Sequence, residues 1–440
     1  MIMLKKFFVK KLFGIFDNEI EFRKEGITVI VGQNGCGKTT MLHMLDAIFS
    51  KNPSKLFRYK FEYIEITFEN DVVKIEIDDK STEEENMRCL KYYINSNELK
   101  EYYQENSKIN SPGFWCRNIS SLRRRPGNMN TVFDLRTGET LSIPEVIDMY
   151  FDELSEEAKN DILVIPEEVY ELVKDIKVEL ITTERLKRIY REDEYRRDVP
   201  AKYAVEECAE DLSKKLKNVL SEYANISQKL DEKFPMKLLQ AIKKKDLSSI
   251  DELEREIKEI DRLREKHIAA GVLEENSDKI LNVNVKDEKL EDNTMAVLTV
   301  YYQDMKQKLD SLNNISDKIV LLKKILNSKY RKNKKISVNK DAGILIEQVM
   351  TKEDIPLKFL SSGEQQELVM LYKLIFKGEK DTIILIDEPE ISLNVSWQRE
   401  FLDDMKEIVD MNKISLIIAT HSPQIINDNW ELVDTLGEFE

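Results

Sequence analysis

The chain has 440 residues, of which 41% are apolar and 34% are charged, and its formal net charge is -15 at pH 7. This length exceeds what one hydrophobic core usually organises, so we expect two subdomains in a soluble, helix-rich protein. The acidic balance excludes a uniformly basic coat for nucleic acid, so any DNA contact must be a local patch. No apolar run approaches the about 20 residues that span a bilayer. With four cysteines that lack paired spacing, we expect a cytoplasmic protein with no membrane partner.

The first 80 residues are predicted to contain short strands and one helix. The predicted strands lie at residues 7–9, 20–22, 27–31, 63–68 and 72–77, with turns at residues 17–18 and 70–71. A helix is predicted over residues 38–49, because Met41, Leu45 and Ile48 follow helical spacing.

The middle of the chain alternates less regularly. Proline and glycine punctuate residues 111–113 and 125–127, which favours an inserted, partly helical segment. A strand is predicted at residues 178–183 and helices between residues 203 and 330. The apolar repeat at residues 250–263 covers only about two heptads, so a compact helical lobe is favoured over a long coiled-coil arm.

Strands and helices alternate again toward the end of the chain. Strands are predicted at residues 336–338, 344–346, 383–386 and 414–419, and helices at residues 396–409 and after His421. Three predicted strands, at residues 27–31, 382–386 and 414–419, are continuous apolar runs, which is typical of parallel strands covered on both faces. A ligand site is therefore expected at their carboxyl ends.

A glycine-rich segment joins the strand at residues 27–31 to the first helix. It reads Gly32, Gln33, Asn34, Gly35, Cys36, Gly37, Lys38, Thr39, and Thr40 follows it. Glycines let backbone amides surround a phosphate, and the helix that follows turns its positive end toward it. Lys38 adds a positive charge, and the Thr39 hydroxyl is a ligand for Mg²⁺. The segment predicts a site for ATP with Mg²⁺.

Two carboxylates close the strand at residues 382–386. Asp387 is predicted to hold Mg²⁺ together with Thr39, and Glu388 to orient and deprotonate the attacking water, as phosphoryl transfer requires. Glu390 is a third acid, for which a catalytic role and a helix-start role are equally consistent with the sequence.

Two further segments complete the pattern. Leu360-Ser361-Ser362-Gly363-Glu364-Gln365 precedes a helix, and Thr420-His421-Ser422-Pro423 follows the strand at residues 414–419. In the order phosphate loop, serine-glycine signature, Asp-Glu strand and strand-terminal histidine, the chain resembles the ABC-class ATPases. The resemblance implies an α/β fold with an ABC-type P-loop ATPase head and mixed sheet, plus a helical insertion lobe of short coiled-coil-like helices.

In that class ATP lies between two head-to-tail subunits. By resemblance, Ser361, Ser362, Gly363 and Glu364 would meet the nucleotide of a second copy, and His421 would sense the γ-phosphate. Residues 394–398 would form a loop that crosses to the other protomer. The implied assembly is an ATP-dependent dimer of the chain with itself, or a higher oligomer.

The long spacing between loop and signature is similar to the RecF, SMC and OLD-type branch, and to the stand-alone ATPases of bacterial anti-phage systems such as Septu, PARIS and retron-associated modules. Ser362 replaces a second glycine, Asn394 stands where these proteins often carry histidine, and Glu184 stands where a sensing glutamine is expected. The motifs cover the two ends of the chain, about a third of it, with residues 1–80 and 331–440 as the predicted head. Residues 81–177 are a predicted insertion, residues 178–202 a strand and basic connection, and residues 203–330 the helical lobe.

The predicted function is control of a separate effector, a nuclease, in anti-phage defence, with an ATP-dependent DNA clamp of RecF or SMC type as the alternative. The histidines His43, His267 and His421 lie far apart in the sequence, and no TOPRIM segment follows the ATPase motifs, so any nuclease is expected on another chain. A transporter ATPase is disfavoured by the long helical insert. Candidate DNA contacts, each alternatively a solvated face, are Arg117 with residues 123–125, the arginines of residues 185–197, and residues 323–335.

Overall fold

The computed structural model describes residues 4–50, 52–82, 85–103, 111–124, 131–136, 138, 140–150, 153–155, 158, 165–181, 203–244, 249–275, 291–330 and 333–437. Its strands are β1 (Lys6–Leu12), β2 (Phe16–Glu21), β3 (Ile27–Gly32), β4 (Tyr63–Thr67), β5 (Val72–Thr82), β6 (Glu85–Ile94), β7 (Asn97–Tyr103), β8 (Leu122–Arg124), β9 (Thr131–Asp134), β10 (Thr140–Ser142), β11 (Lys177–Ile181), β12 (Lys334–Asn339), β13 (Gly343–Gln348), β14 (Thr382–Asp387), β15 (Ser415–Ala419) and β16 (Val433–Leu436). Its α-helices are α1 (Lys38–Phe49), α2 (Pro112–Asn118), α3 (Ile143–Tyr150), α4 (Glu167–Val173), α5 (Ala204–Lys244), α6 (Ile250–Ala270), α7 (Asp292–Asp310), α8 (Asn313–Tyr330), α9 (Ser362–Tyr372), α10 (Val395–Asn412) and α11 (Pro423–Ile426).

The chain divides into two compact units. The first comprises residues 1–201 and 378–440, and the second comprises residues 202–377. The first unit contains a parallel sheet in the order β11-β14-β15-β3-β16, an antiparallel sheet in the order β2-β1-β4-β5-β6-β7, and a small sheet β10-β9-β8. The second contains helices α5 to α9 and the hairpin β12–β13. The predicted class, α/β with a helical lobe, is confirmed.

The parallel sheet positions the predicted site. β14 is buried along its whole length, and all but the first residue of β15 are buried, as continuous apolar runs predict. Asp387 pairs in register with Ala419, and Ala419 pairs with Ile30. The loops that follow β14, β15 and β3 therefore leave the same edge of the sheet. The prediction of parallel strands at residues 27–31, 382–386 and 414–419 is confirmed.

The first hairpin differs from the prediction. Its turn lies at residues 13–15, between β1 and β2, and Asp17 and Asn18 belong to β2. The tight turn is made by positive φ angles at Phe13 and Gly14. Asp17 is drawn into the strand pair because its carboxylate accepts hydrogen bonds from the Lys10 ammonium and the backbone N–H of Lys11. The prediction of a turn at residues 17–18 was wrong because local turn propensity gave way to this pairing.

The antiparallel sheet continues beyond the second predicted hairpin. β4 and β5 pair around the predicted turn at residues 70–71, and β6 and β7 extend the sheet to Tyr103. The apolar faces of these strands share one core with helix α1, in which Met41, Leu42 and Leu45 are buried. This packing fixes the helix that begins at the glycine loop. The predicted domain boundaries stay predictions.

The second unit is mostly helical. Helix α5 has 41 residues, and helices α6 and α7 share a core that includes Leu253 and Tyr302. The hairpin β12–β13 turns at residues 340–342. Within the part of the chain that the structure describes, no helix is both long and apolar enough to cross a membrane.

Candidate active site

The glycine loop lies between β3 and α1 and requires its glycines at two places. A Cβ on Gly32 would lie 2.7 Å from the carbonyl oxygen of Leu436, and Gly37 has a φ of 103°. At Gly35 the space is open, because no heavy atom of the described residues, apart from the glycine and its two chain neighbours, lies within 4 Å of the position of a Cβ. Gln33, Asn34 and Gly35 are exposed, whereas Cys36 and Gly37 are buried. The loop therefore has one face packed on the sheet and one face open to a phosphate group.

Lys38 is folded back into this loop. Its ammonium donates to the carbonyl oxygens of Gly32 at 3.0 Å and Gln33 at 3.2 Å. The residue is only 5% exposed. A buried ammonium with two carbonyl partners marks a place where phosphate oxygens can replace or join those partners. The chemistry of Lys38 and the open loop face fits a nucleotide.

Thr39 and Asp387 come together from different elements. The Thr39 hydroxyl, in the first turn of α1, lies 3.1 Å from both carboxylate oxygens of Asp387, at the end of β14. Hydroxyl and carboxylate oxygens are the hard ligands that Mg²⁺ prefers. Burial raises the pKa of Asp387, and the negative charge of Glu388 acts in the same direction, whereas the Thr39 hydrogen bond lowers it. A bound cation would relieve this unfavourable burial of charge, so the donor set fits Mg²⁺.

Glu388 follows Asp387 in a strained backbone conformation. Its φ is 44°, in the left-handed region, and its N–H donates to the carbonyl oxygen of Ala419 at 2.9 Å. Non-glycine residues adopt this conformation uncommonly, in turns and at functional sites. In this conformation the Glu388 carboxylate faces His421, whose Nε2 lies 3.8 Å from Glu388 Oε1.

His421 lies between the Lys38 ammonium and the Glu388 carboxylate. Its Nδ1 lies 3.5 Å from Lys38 Nζ, on the opposite side of the ring from Glu388. Because an ammonium only donates, the tautomer that fits has an unprotonated Nδ1 and carries its proton on Nε2. The imidazole then presents an N–H to Glu388. The structure thus brings together Lys38, Glu388 and His421. Of these, Lys38 and His421 are 383 residues apart in the sequence.

Glu390 holds the segment that carries His421. Its carboxylate accepts hydrogen bonds from the Thr420 hydroxyl at 2.8 Å and from the backbone N–H of His421 at 2.6 Å. Gln398 of α10 adds a second tie, because its amide oxygen accepts from the Ser422 hydroxyl at 2.6 Å. Glu390 is therefore a positioning residue, because both of its carboxylate oxygens accept hydrogen bonds from the segment that carries His421. The sequence signal for it was the third acid after β14.

Asn18 is a residue that sequence analysis missed. It is 1% exposed, and its side chain donates to the carbonyl oxygen of Cys36 at 2.8 Å and accepts from the N–H of Gly437 at 3.0 Å. It supports the glycine loop from the packed side. The available signal was its alternation with the apolar residues Phe16 and Ile20, which places it on their face of a strand, whereas asparagine by itself favours a turn.

The signature residues lie in the second unit. Ser361 is the N-cap of α9, and Ser362, Gly363 and Glu364 form its first turn. Ser361 and Ser362 are exposed and Gly363 is half-buried. The predicted site residues therefore form two groups. The signature residues belong to the second unit, and the first unit contains Lys38, Thr39, Asp387, Glu388 and His421.

The predicted basic clusters are only partly described. Arg123 donates to the carbonyl oxygens of Ser120 and Leu122, and Arg124 is exposed on β8. Several of the predicted positions lie outside the described residues: Arg125, Glu184, the arginines of residues 185–197, and residues 331–332.

A family model matches this chain over most of its length, whereas solved structures resemble it only weakly. The Smc head domain with an extended coiled coil from Pyrococcus furiosus, bound to the C-terminal domain of ScpA, is 14% identical over 97% of this chain and 91% of that chain, with a TM-score of 0.33. The SMC head domain from Thermotoga maritima is 11% identical over 100% of this chain and 99% of that chain, with a TM-score of 0.32. The comparison with curated proteins gave no match. A family model described as an AAA ATPase domain matches residues 3–426, so the chain belongs to the family of AAA ATPase domains.

Proposed function

We propose that this protein binds ATP with Mg²⁺ and hydrolyses it to ADP and phosphate. The observation that carries the proposal is the convergence of five side chains at one edge of the parallel sheet. Two come from the first turn of α1 and three from the ends of β14 and β15; they are Lys38, Thr39, Asp387, Glu388 and His421. A cationic phosphate anchor, a set of magnesium ligands and a carboxylate base in one cluster are the parts that phosphoryl transfer to water needs.

Binding begins at the open face of the glycine loop. The Lys38 ammonium turns from the carbonyls of Gly32 and Gln33 toward phosphate oxygens, and the first amides of α1 add their partial positive charge. Thr39 and Asp387 are the residues that would hold Mg²⁺. When bound, Mg²⁺ neutralises charge on the phosphate oxygens.

Glu388 supplies the base. Its carboxylate orients a water and accepts one of its protons while the water oxygen bonds to the γ-phosphorus and the bond to the bridging oxygen of ADP breaks. His421 lies 3.8 Å from the carboxylate and presents its Nε2 proton to this region. It therefore limits where the Glu388 side chain and its water can lie.

The test separates binding from chemistry. Glu388→Gln is expected to bind ATP with near-normal affinity and to hydrolyse it at least about 100-fold more slowly, because the amide cannot take the proton. Lys38→Ala is expected to lose nucleotide affinity. Glu400→Gln, an exposed acid on α10, is the matched control and should behave as wild type. Near-normal turnover by Glu388→Gln would remove Glu388 from the base role.

The proposal extends to assembly around ATP. In a head-to-tail dimer, Ser361, Ser362 and Gly363 of one copy would contact the γ-phosphate held by the other. The proposed dimer would also bury two exposed apolar side chains beside these segments: Ile391 (66% exposed) follows Glu388, and Phe359 (71% exposed) precedes Ser361. Sedimentation of Glu388→Gln with ATP should give twice the monomer mass, and Ser361→Arg should prevent this. A monomer under saturating ATP would contradict the assembly.

The role proposed for the assembled ATPase is control of a separate effector, a nuclease, in anti-phage defence. The support is the resemblance of the motif segments to stand-alone ATPases of such systems. Co-purification of a nuclease with the chain from its native host is the deciding observation. An ATP-dependent DNA clamp is the second candidate, favoured by the exposed Arg124. Salt-sensitive, ATP-dependent duplex binding by the lone protein, lost in Arg124→Glu, would favour the clamp.

A further inference from the structure

Two acids on one face of α9, the helix that begins with the signature residues, each form an ion pair with a lysine. Glu364 and Glu367 are three residues apart on α9, so they lie on the same face. Glu367 pairs with Lys329 of α8, and both side chains are fully buried, at 0% and 1% exposure. Glu364 pairs with Lys334 of β12 at 2.6 Å, with the side chains 16% and 25% exposed. The deeper pair holds the helix in place, and the outer pair sits at its N-terminus.

The Glu364 carboxylate occupies the donors of Ser361. Its Oε2 accepts from the backbone N–H of Ser361 at 2.9 Å and from the Ser361 hydroxyl at 2.9 Å. In return the Ser361 hydroxyl oxygen accepts from the N–H of Glu364 at 3.4 Å. A carboxylate therefore holds the same donors that an incoming phosphate would need. Any anion that approaches the start of α9 meets a resident negative charge.

Lys334 compensates this charge. Its ammonium contacts Glu364 Oε1, on the other side of the carboxylate from Ser361, and lies 5.9 Å from the centre of the Tyr330 ring. Tyr330 is 5% exposed, so its ring is a fixed surface that limits where the ammonium can move. Burial favours the neutral acid, but the Lys334 ammonium and the Ser361 hydrogen bonds hold the pKa of Glu364 below its ordinary value. The carboxylate is thus charged and neutralised by one lysine.

We propose that Lys334 is a positioning residue for the nucleotide contact of the signature segment. It neutralises the Glu364 carboxylate, which stays hydrogen-bonded to Ser361, so the triphosphate held by a second copy meets no uncompensated negative charge there. Without Lys334, the Glu364 carboxylate is uncompensated and repels that triphosphate. This inference rests on the proposed head-to-tail assembly. It adds Lys334 as the residue whose positive charge lets the signature segment, residues 360–365, bind a phosphate.

The charge argument predicts an unusual pattern among variants. In the Glu388→Gln background with saturating ATP, Lys334→Met should weaken dimerisation about tenfold, because it leaves the Glu364 charge uncompensated beside the phosphate. Glu364→Gln alone should weaken dimerisation less than Lys334→Met does, because the amide leaves no charge to repel the phosphate. The double variant Lys334→Met/Glu364→Gln should recover to within about twofold of Glu364→Gln, because both charges are gone. Lys334→Arg should retain dimerisation.

The measurement is the dimer dissociation constant from sedimentation equilibrium, with thermal unfolding of each variant recorded in parallel. Lys340→Met is the matched control, since it removes an exposed lysine that pairs with Glu274 in the same unit. Equal dimerisation by Lys334→Met and the background would overturn the role of Lys334. So would a double variant that is as weak as Lys334→Met, since the pair would then act only through packing. Absence of any ATP-driven dimer in the Glu388→Gln background alone would instead overturn the assembly, and the role of Lys334 with it.

Discussion

The carboxylate of Glu390 accepts the backbone N–H of His421 at 2.6 Å, across 31 residues of sequence. The same carboxylate also accepts the Thr420 hydroxyl. Two donors therefore converge on one anionic group, and the position of the His421 segment depends on it. Glu390 is therefore a support for the segment that carries His421.

Glu390→Gln is expected to lower kcat about tenfold with little change in KM for ATP. The neutral amide can keep one oxygen on the His421 N–H and donate its NH₂ to the Thr420 hydroxyl oxygen, but it holds the N–H less strongly than a carboxylate does and so loosens the His421 segment. Steady-state ATP hydrolysis measures this, with Glu400→Gln as the control. A proportional rise in KM at constant kcat would show that Glu390 acts on binding.

The buried Asp387 carboxylate predicts a pH-dependent requirement for Mg²⁺. Its pKa lies above the ordinary value of 3.8, chiefly because of burial. Protons therefore compete with Mg²⁺ at a higher pH than for an ordinary aspartate, so Mg²⁺ affinity is present above the raised pKa and is lost as the pH falls through it. Asp387→Asn should raise the half-saturating Mg²⁺ concentration at least about tenfold and abolish this pH dependence. Mg²⁺ titrations of ATP hydrolysis at several pH values measure both, and an unchanged Mg²⁺ requirement would contradict the assignment.

The fully buried ion pair Lys329–Glu367 predicts that removing one partner lowers the free energy of unfolding of the second unit more than removing both does. Lys329→Met should lower the free energy of unfolding by about 3–5 kcal/mol, because it leaves the Glu367 charge buried without its cation. Lys329→Met/Glu367→Leu should recover most of that loss, since no charge remains to be desolvated. Denaturant unfolding and hydrogen exchange of the α9 amides report the effect. A double variant less stable than Lys329→Met would contradict the argument.

His267 predicts acid sensitivity of the helical unit. It is fully buried where α6 meets α7 and α8, with its Nε2 donating to the carbonyl oxygen of Leu309 at 3.1 Å and its Nδ1 accepting from the Ser316 hydroxyl at 2.7 Å. Burial, with the nearby Lys266 charge, lowers its pKa from 6.5 to about 4. Below pH 6.5 the unfolded state binds a proton that the folded state refuses until about pH 4, so stability is complete above 6.5 and falls across this window.

The expected loss for His267 is at most about 3 kcal/mol between those pH values. The measurement is the free energy of unfolding at pH 7 and pH 5 for wild type and His267→Gln. The glutamine keeps an amide donor and cannot titrate in this range, so the variant should lose this part of the pH dependence. Identical pH profiles for the two proteins would contradict the assignment.

Local sequence patterns predicted the elements that carry the site. The helix predicted over residues 38–49 is observed with the same bounds, and β14 and β15 lie within a residue of their predicted limits. These elements are predictable because continuous apolar runs and helical spacing reflect burial in a covered parallel sheet. The positions of Lys38, Asp387, Glu388 and His421 at strand ends followed from the same patterns, since carboxyl ends of parallel strands share an edge.

Contacts between distant segments were not predictable in this way. β16 has only four residues, too few to show a periodic pattern, and its pairing with β3 is what makes it a strand. Asn18 was assigned to a turn because asparagine favours turns, whereas its two buried hydrogen bonds place it in β2. The partners of Glu364 and Glu390 likewise depend on which strand or loop packs beside them.

The order of residues along the chain by itself determined the phosphate loop, the acid pair and the strands that carry them, because each depends on neighbours within a few positions. The tertiary structure alone decided which groups share a charge or a hydrogen bond: His421 with Glu388, Glu390 with the His421 backbone, and Lys334 with Glu364. Such pairs lie 30 or more residues apart. Their geometry arises only when burial of the apolar faces brings distant segments together, and no local propensity encodes it.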